Sequence, residues 1–207
     1  NERFKWLSAQ NINIGLAPCS AMRVNFVGEL GWELHHPIEY QNHIFDQLMK
    51  AGKEFGLKPY GIRAMNSLRV EKSYKLVGTE LSIEYSPYES GLDRFVHPNK
   101  GDFIGRAALD KWRAKGFSNK LVTMEIHGVT DADVLGNNPI YDNGSVVGRA
   151  TSGDFGFRLN KSIALGMVKP ELAKVGQKLK IDILGKMHEA SIVEESPYDS
   201  ENKLLRA

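Results

Sequence analysis

The sequence has 207 residues, enough for one or two packed domains, and its 42% hydrophobic and 25% charged residues are typical of globular proteins. Its 27 basic and 25 acidic side chains are well mixed and give a net charge of +2, which excludes a strong nucleic-acid or membrane-surface footprint. No apolar run reaches the roughly 18 residues of a membrane span, and no signal peptide is visible. We therefore expect neither nucleic acid nor membrane as a partner.

Two features of the chain bear on its origin. Cys19 is its single cysteine, so an internal disulfide is excluded and a reducing compartment is expected. The sequence also begins with Asn1 rather than Met, which indicates a fragment or a processed product.

The first half of the chain predicts two strands followed by two helices. Alternation predicts strands over residues 22–27 and 30–36, joined through Gly28-Glu29. Apolar residues at helical spacing then predict a helix that opens at Pro37 and stops at Gly56. A second helix is predicted over residues 61–74.

The second half predicts a change of structural class. Residues 79–101, "TELSIEYSPYESGLDRFVHPNKG", have the serines, glycines and prolines of a connector, and a third helix is predicted over residues 105–115. Short β-rich runs follow, with a strong hairpin turn at residues 142–144. The pattern predicts α+β structure for the first ~80 residues and an antiparallel sandwich or small barrel for the last ~90.

Several kinds of site are disfavoured by the motifs. His35 and His36 are neighbours on a predicted strand and point to opposite faces, and no carboxylate or cysteine cluster has metal spacing, so no metal site is expected. There is no G-x-G-x-x-G or G-x-x-x-x-G-K-[ST] fingerprint for FAD, NAD or ATP. No serine lies in a G-x-S-x-G elbow, and Cys19 has no evident histidine partner.

Two charged residues are unusual for their predicted elements. Glu33, in "MRVNFVGELGWELHHP", is a carboxylate on a strand beside Trp32; it is either a solvated residue or a bidentate acceptor for the N–H edge of a planar heterocycle. Arg63 falls in the first turn of a helix, where the macrodipole disfavours a cation. It is either an exposed arginine or the partner of a nearby anion.

Four motifs occur in a fixed order along the chain: "RVNFVGELGWELHHP", "GIRAMNSLRVEKSYKLVGTEL", "SPYESGLDRFVHPNKGDFIGRAAL" and "GRATSGDFGFRLNKSIALGMV". Together they resemble the C-terminal folate-binding region of dimethylglycine and sarcosine dehydrogenases, which is itself similar to the aminomethyltransferase (T-protein) of the glycine cleavage system. The resemblance implies an α+β aminomethyltransferase-like fold with a C-terminal antiparallel β-barrel. We expect a partial folate-binding domain over residues 1–79, a connector with one helix over 80–116, and the barrel over 117–207.

The resemblance also implies a tetrahydrofolate site. Glu33 would hold the pterin ring, Phe26 would place an aromatic ring near it, and Leu34 and His35 would line the site, while Glu29 would serve the turn. The remaining two expected residues are arginines. Arg63 would contact the folate, and Arg94 stands where relatives have Trp or Tyr, so it would stack on the folate or bind its carboxylates.

The chemistry implied by the resemblance is one-carbon transfer. An N-methyl amine is oxidised at FAD in an upstream domain or subunit, and tetrahydrofolate captures the carbon as 5,10-methylene-tetrahydrofolate. The expected catalytic aspartate also lies upstream, so no catalytic residue is assigned in this chain. Alternatives are a free-standing T-protein-like aminomethyltransferase, a related folate-dependent demethylase, or a non-catalytic binding module. The expected location is the cytoplasm, or the mitochondrial matrix in a eukaryote.

Overall fold

A computed structural model describes residues 2–129 and 131–207. The chain divides into two compact units, one formed by Asn1–Met65 with Glu201–Ala207 and the other by Asn66–Ser200. These limits differ from the three-part division expected above, which stays a prediction.

The first unit contains a small antiparallel sheet with helices after it. In the described residues the strands lie in the order β1 (Ala9–Ile14), β2 (Ala17–Met22) and β3 (Glu33–His35). A 3₁₀ turn at Ile38–Tyr40, helix α1 (Gln41–Gly52) and a 3₁₀ turn at Lys53–Phe55 follow. Gly56 ends this segment in the left-handed conformation with a φ of 69°, which confirms the helix predicted between Pro37 and Gly56.

The hairpin predicted over residues 22–36 is wrong in its boundaries. β2 ends at Met22 and β3 begins only at Glu33, so Gly28 and Gly31 lie in a long loop between the two strands. The Asn25 side-chain oxygen accepts hydrogen bonds from the backbone N–H groups of Val27 at 3.0 Å and Gly28 at 2.7 Å. These bonds fold the segment into a turn, because a side chain that satisfies local backbone groups competes with the strand ladder.

Two further helices fall close to their predicted positions. α2 spans Ile62–Val70 and then ends in a turn in which Ser73 has a φ of 55°, so the helix is shorter than predicted. α3 spans Arg106–Lys115 and ends at Gly116, as predicted. A short helix, α4 (Lys203–Arg206), lies at the end of the chain.

The connector between α2 and α3 is irregular, as predicted, but it is well packed. Glu89 is buried and accepts hydrogen bonds from the backbone N–H of Ser86 at 3.0 Å and its hydroxyl at 2.9 Å. Its other oxygen accepts from the backbone N–H groups of Ser118 and Asn119. The segment is therefore fixed by buried polar contacts rather than behaving as a flexible linker.

The second unit ends in a closed antiparallel barrel, which confirms the predicted fold class. Its strands are β4 (Lys120–Ile126), β5 (Pro139–Asp142), β6 (Ser145–Gly156), β7 (Lys161–Val168), β8 (Lys178–Ile183) and β9 (Lys186–Val193), in the closed order β4-β7-β6-β5-β8-β9. The turn between β5 and β6 places both Asn143 (φ 47°) and Gly144 (φ 80°) in the left-handed region, as the Asp-Asn-Gly sequence predicts.

The barrel interior is apolar and tightly packed. Side chains from alternate positions of its strands form one hydrophobic core, with Met124, Ile140 and Ile181 fully buried. Gly148 is required by close packing, since a Cβ there would lie 2.2 Å from the carbonyl oxygen of Met167.

A network of buried charges lies in the second unit. Glu71, fully buried, forms an ion pair with the Arg158 guanidinium and accepts a hydrogen bond from the Arg158 backbone N–H at 2.8 Å. Glu80, also fully buried, lies 3.8 Å from the Arg69 guanidinium and accepts from Ser152 at 2.6 Å. Burial raises the pKa of the Glu80 carboxyl, but hydrogen bonds, including those from Ser152, the Leu76 N–H and Thr79, outweigh it and hold the pKa below its ordinary value.

In the part of the chain that the structure describes, no helix is long and apolar enough to cross a membrane.

Candidate functional site

The three-stranded sheet of the first unit has one polar face. Residues directly opposite each other on neighbouring strands share a face, and the register aligns Asn11 with Ser20 and Ser20 with His35. The next row on the same face contains Met22 and Glu33. Because side chains alternate along a strand, this face carries polar groups from all three strands.

A surface cavity of about 460 Å³ lies on this sheet. His35 lines it together with residues of the other two strands and with Pro37. Asn11, Asn13 and Ser20 supply amide and hydroxyl groups, and Ile12, Pro18 and Cys19 supply apolar surface. The volume falls in the range of about 300–1,000 Å³ that small-molecule pockets occupy.

Glu33 does not itself line this cavity, but it contacts His35, which does. Its carboxylate is 3.2 Å from the Nε2 atom of His35, which it contacts across two positions of the same strand. The Glu33 side chain is 45% exposed and that of His35 is 57% exposed. An exposed pair of this kind exchanges partners at small energetic cost, so the carboxylate can accept other N–H donors.

The structure separates the other residues expected near Glu33. Leu34 lies on the opposite face of the sheet, where its register partner is the buried Ala21. Phe26 is half-buried in the loop organised by Asn25. The roles of Leu34 and Phe26 in ligand binding stay predictions.

The two arginines lie in different units. Arg63 is exposed in the first turn of α2, as predicted, within the first unit. Arg94 lies in the second unit, where its guanidinium is 4.8 Å from the ring centroid of Phe95 and lines a separate cleft of about 310 Å³. Their contacts with a folate stay predictions.

The cleft beside Arg94 holds three cations and two carboxylates. Lys75 is 2.6 Å from Glu195, and Lys120 is 3.6 Å from Asp93. Strands β4 and β9 form its apolar wall through Val122, Ile192 and neighbouring residues. Lys75 and Lys120 were not predicted from the sequence, because the residues that bring them together are distant along the chain.

Asn11, Asn13 and Ser20 were also missed. The alternation of "NINI" over residues 11–14 is a strand signal that could have placed Asn11 and Asn13 on one face. Among the described residues, no three His, Cys, Asp or Glu side chains are grouped so that they could hold a metal ion.

Two family models match consecutive parts of the chain. The GCVT N-terminal domain matches residues 1–100, and the glycine cleavage T-protein C-terminal barrel domain matches residues 119–199. The chain belongs to the glycine cleavage T-protein family.

Curated relatives of this T-protein family chain include dehydrogenases and transferases. Human mitochondrial dimethylglycine dehydrogenase is 40% identical over 193 residues, covering 93% of this chain and 22% of that protein. Aminomethyltransferase of Desulfitobacterium hafniense strain DCB-2 is 35% identical over 175 residues, covering 84% of this chain and 47% of that protein. Mouse mitochondrial sarcosine dehydrogenase is 34% identical over 216 residues, covering 100% of this chain and 23% of that protein.

A solved structure shows the same T-protein fold. Glycine cleavage system aminomethyltransferase T from Bartonella henselae matches with a TM-score of 0.84 at 21% identity, covering 97% of this chain and 54% of that one. The family and fold expected from the sequence are thus confirmed. The chain spans between about a fifth and a half of the length of these relatives, all of which are named as enzymes.

Proposed function

We propose that this chain is the tetrahydrofolate-binding, one-carbon-transfer region of a dimethylglycine or sarcosine dehydrogenase-like enzyme. The observation that carries the proposal is the exposed Glu33 carboxylate on the polar sheet face, in contact with His35, which lines a cavity of ligand size. Identity of 40% to dimethylglycine dehydrogenase over most of the chain supports that branch of the family.

The residues of the polar face fit a reduced pterin. The aminopyrimidine edge of a pterin offers parallel N–H donors, and a carboxylate that accepts both makes a charge-assisted bidentate contact. Ser20 and Asn11 supply further donors and acceptors in the adjacent row of the sheet. Glu33 would therefore fix the orientation of the pterin, and the sheet would hold Glu33 in place.

Tetrahydrofolate, as acceptor substrate, supplies the nitrogen that takes up the oxidised N-methyl carbon to give 5,10-methylene-tetrahydrofolate. The residues of this chain bind and orient it. FAD and the aspartate that acts on the folate nitrogen belong, in this proposal, to an upstream domain or subunit. We also propose that the protein works in a reducing compartment, which is the mitochondrial matrix for the relatives that are named as mitochondrial.

Calorimetric titration of the complete polypeptide that carries this chain with 5-formyl-tetrahydrofolate tests the proposal. Glu33→Gln keeps the side-chain size but replaces one acceptor oxygen with a donor NH₂, so binding should weaken by roughly 2–4 kcal/mol, or about 30- to 1,000-fold. Glu29→Gln is the matched control, because Glu29 lies in the loop of the same motif and should leave the dissociation constant nearly unchanged.

Two outcomes would contradict the proposal. Equal losses of affinity in the Glu29 and Glu33 variants would show that Glu33 has no specific role in binding. Absence of binding heat in the wild-type protein would favour a non-catalytic module built on the same fold.

A further inference from the structure

Arg23 is a buried cation in the first unit. The residue is only 2% exposed and follows directly after the last residue of β2. Its backbone N–H donates to the carbonyl oxygen of Ser8 at 2.9 Å, and its carbonyl oxygen accepts from the backbone N–H of Leu7 at 3.2 Å. Because a buried charge is costly unless other groups compensate it, the partners of the guanidinium indicate what the residue does.

The Arg23 guanidinium joins helix α4 to the segment that precedes β1. One Nη atom donates to the carbonyl oxygen of Phe4 at 2.7 Å. The other donates to the carbonyl oxygens of Arg206 at 3.1 Å and Ala207 at 2.9 Å. The last carbonyl groups of a helix lack partners within the helix, so a cation that donates to them caps the helix. The cap of α4 therefore comes from a residue 183 positions before Arg206.

Two further features attach α4 to the first unit. Leu205 is buried, with 5% of the residue exposed. The Arg206 guanidinium lies 4.2 Å from the ring centroid of Trp6, a distance typical of a cation–π contact. Residues 201–207 accordingly group with the first unit, although residues 66–200 form the second.

Arg23 also contacts the residue that precedes Glu33. The last pair in the register of β2 and β3 is Met22 with Glu33. One position further along both segments, the Arg23 guanidinium carbon lies 5.9 Å from the ring centroid of Trp32. The Phe4 ring meets the Trp32 ring edge-on, with 6.0 Å between the centroids. Trp32 is thus held by Arg23 and by the residue whose carbonyl group Arg23 binds.

Glu33 needs such support because it begins a strand of only three residues. A long loop precedes this strand, and short elements with few contacts open readily. Neighbouring residues on a strand point to opposite faces, so the contacts of Trp32 fix the backbone from which the Glu33 carboxylate projects to the other side. Contacts on one face of the sheet would thus set the direction of a carboxylate on the other.

We propose that Arg23 is a positioning residue that, together with α4, fixes the Trp32–Glu33 step and through it the bound folate. The proposal rests on the function proposed above, in which Glu33 holds the pterin. Two of the three carbonyl groups that bind the guanidinium come from Arg206 and Ala207. The Arg23 Nε atom already lacks an acceptor among the described residues. Release of α4 would therefore leave a buried cation with too few acceptors, loosen the loop before β3 and weaken folate binding.

Hydrogen exchange followed by mass spectrometry, on the complete polypeptide without ligand, tests the structural part of the proposal. Arg23→Lys keeps the charge but replaces the planar donor group with a compact ammonium, which cannot reach all three carbonyl groups. Exchange should become about tenfold faster over residues 24–35 and 201–207 and stay unchanged in the barrel strands. Arg3→Lys is the matched control, because Arg3 is an exposed arginine of the same unit. No change over residues 24–35, or an equal change in the barrel, would overturn the inference.

Leu205→Ala tests the contribution of α4 separately. The change weakens the docking of the helix and leaves Arg23 in place, so exchange over residues 24–35 should again become faster, by a smaller factor than in Arg23→Lys. Unchanged exchange in that segment would show that α4 does not act on the loop.

A double-substitution cycle with Glu33→Gln tests the link to binding. Arg23→Lys should weaken binding of 5-formyl-tetrahydrofolate about tenfold when Glu33 is present. The same change should have an effect close to onefold in the Glu33→Gln background, because two residues that act on one contact are not additive. A general loss of folding would instead weaken binding by the same factor in both backgrounds, and that result would contradict a positioning role.

The two measurements separate this inference from the function proposed above. If the exchange pattern appears but the wild-type protein binds no folate, the function fails and the structural role of Arg23 and α4 stands. If folate binding depends on Glu33 while Arg23→Lys and Leu205→Ala bind as tightly as the wild-type protein, the function stands and this inference fails.

Discussion

The two units of this chain each contain an antiparallel sheet, but the two sheets differ in how much apolar surface they bury. The barrel of the second unit closes on itself and buries a core that includes Met124, Ile140 and Ile181. The sheet of the first unit is open, and the side chains that it buries are small, namely Ala17, Cys19 and Ala21. One sheet therefore gains stability from apolar burial, whereas the other leaves a polar face accessible.

This difference should separate residues that stabilise the fold from residues that the proposed function assigns to ligand binding. Burial of large apolar side chains stabilises the barrel. In the buried ion pairs of the same unit, removal of one partner would leave the other charge buried without compensation. The open sheet buries only small apolar side chains, and in its row of Asn11, Ser20 and His35 none is fully buried. Substitutions should thus affect stability most in the second unit and ligand binding most on the polar face of the first.

The largest loss of stability is expected for Glu71→Ala. The change removes a fully buried carboxylate and leaves the Arg158 guanidinium and the backbone N–H groups of Arg158 and Leu159 without this acceptor. Unfolding free energy should fall by about 3–5 kcal/mol, measured by urea denaturation. The control is Glu84→Ala, whose exposed pair with Arg149 at 2.5 Å should be worth about 1 kcal/mol or less. Similar losses in both variants would contradict the importance of burial.

A matched pair of isoleucine truncations compares the two sheets directly. Ile140→Ala in the barrel removes a fully buried side chain and should cost about 2–5 kcal/mol. Ile12→Ala in β1 removes a half-buried side chain and should lower the free energy of unfolding by only about 1 kcal/mol, because Ile12 buries less apolar surface than Ile140. Urea denaturation followed by circular dichroism measures both values. Equal costs would mean that the open sheet is packed as tightly as the barrel.

A pH series gives the smallest effect and tests the Glu80 network. The pKa of Glu80 in the folded protein lies below its ordinary value of 4.5, so in the range between the two values the unfolded state binds more protons. The stabilisation from Glu80 is therefore complete above about pH 4.5 and is lost as the pH falls through the folded value. It amounts to about 1.4 kcal/mol for each unit by which the pKa is lowered.

The comparison for this series is Glu80→Gln. Unfolding free energies between pH 7 and pH 3 should fall more steeply for the wild-type protein than for the variant, because the variant has no carboxyl to protonate. Parallel curves for the two proteins would show that Glu80 keeps its ordinary pKa.

The sequence predicted the barrel because its signals are local. Alternating apolar residues and the Asp-Asn-Gly turn act over a few positions, and both survive in the structure. The loop before β3 was not predicted, because Asn25 satisfies backbone groups that the pattern assigns to a strand. The pairing of Glu71 with Arg158 joins residues 87 positions apart, a separation over which periodicity carries no information.

The candidate site was predicted only in part for the same reason. Glu33 stood out because a carboxylate is unusual on a strand, and Arg63 because a cation is unusual at a helix start. The row that connects Asn11, Ser20 and His35 depends on the pairing of three strands, two of which, β1 and β2, were not predicted. Lys75 and Lys120 become neighbours of one cleft only through tertiary structure.

The closure of the barrel also bears on how this protein would aggregate. Each barrel strand has hydrogen-bonded neighbours on both sides, so none offers a free backbone edge for a strand of another molecule. In the first unit, β1 and β3 are edge strands, and β3 has only three residues. Intermolecular strand pairing during storage or refolding should therefore begin at β1, and a lysine or proline placed at one of its outward positions would suppress it.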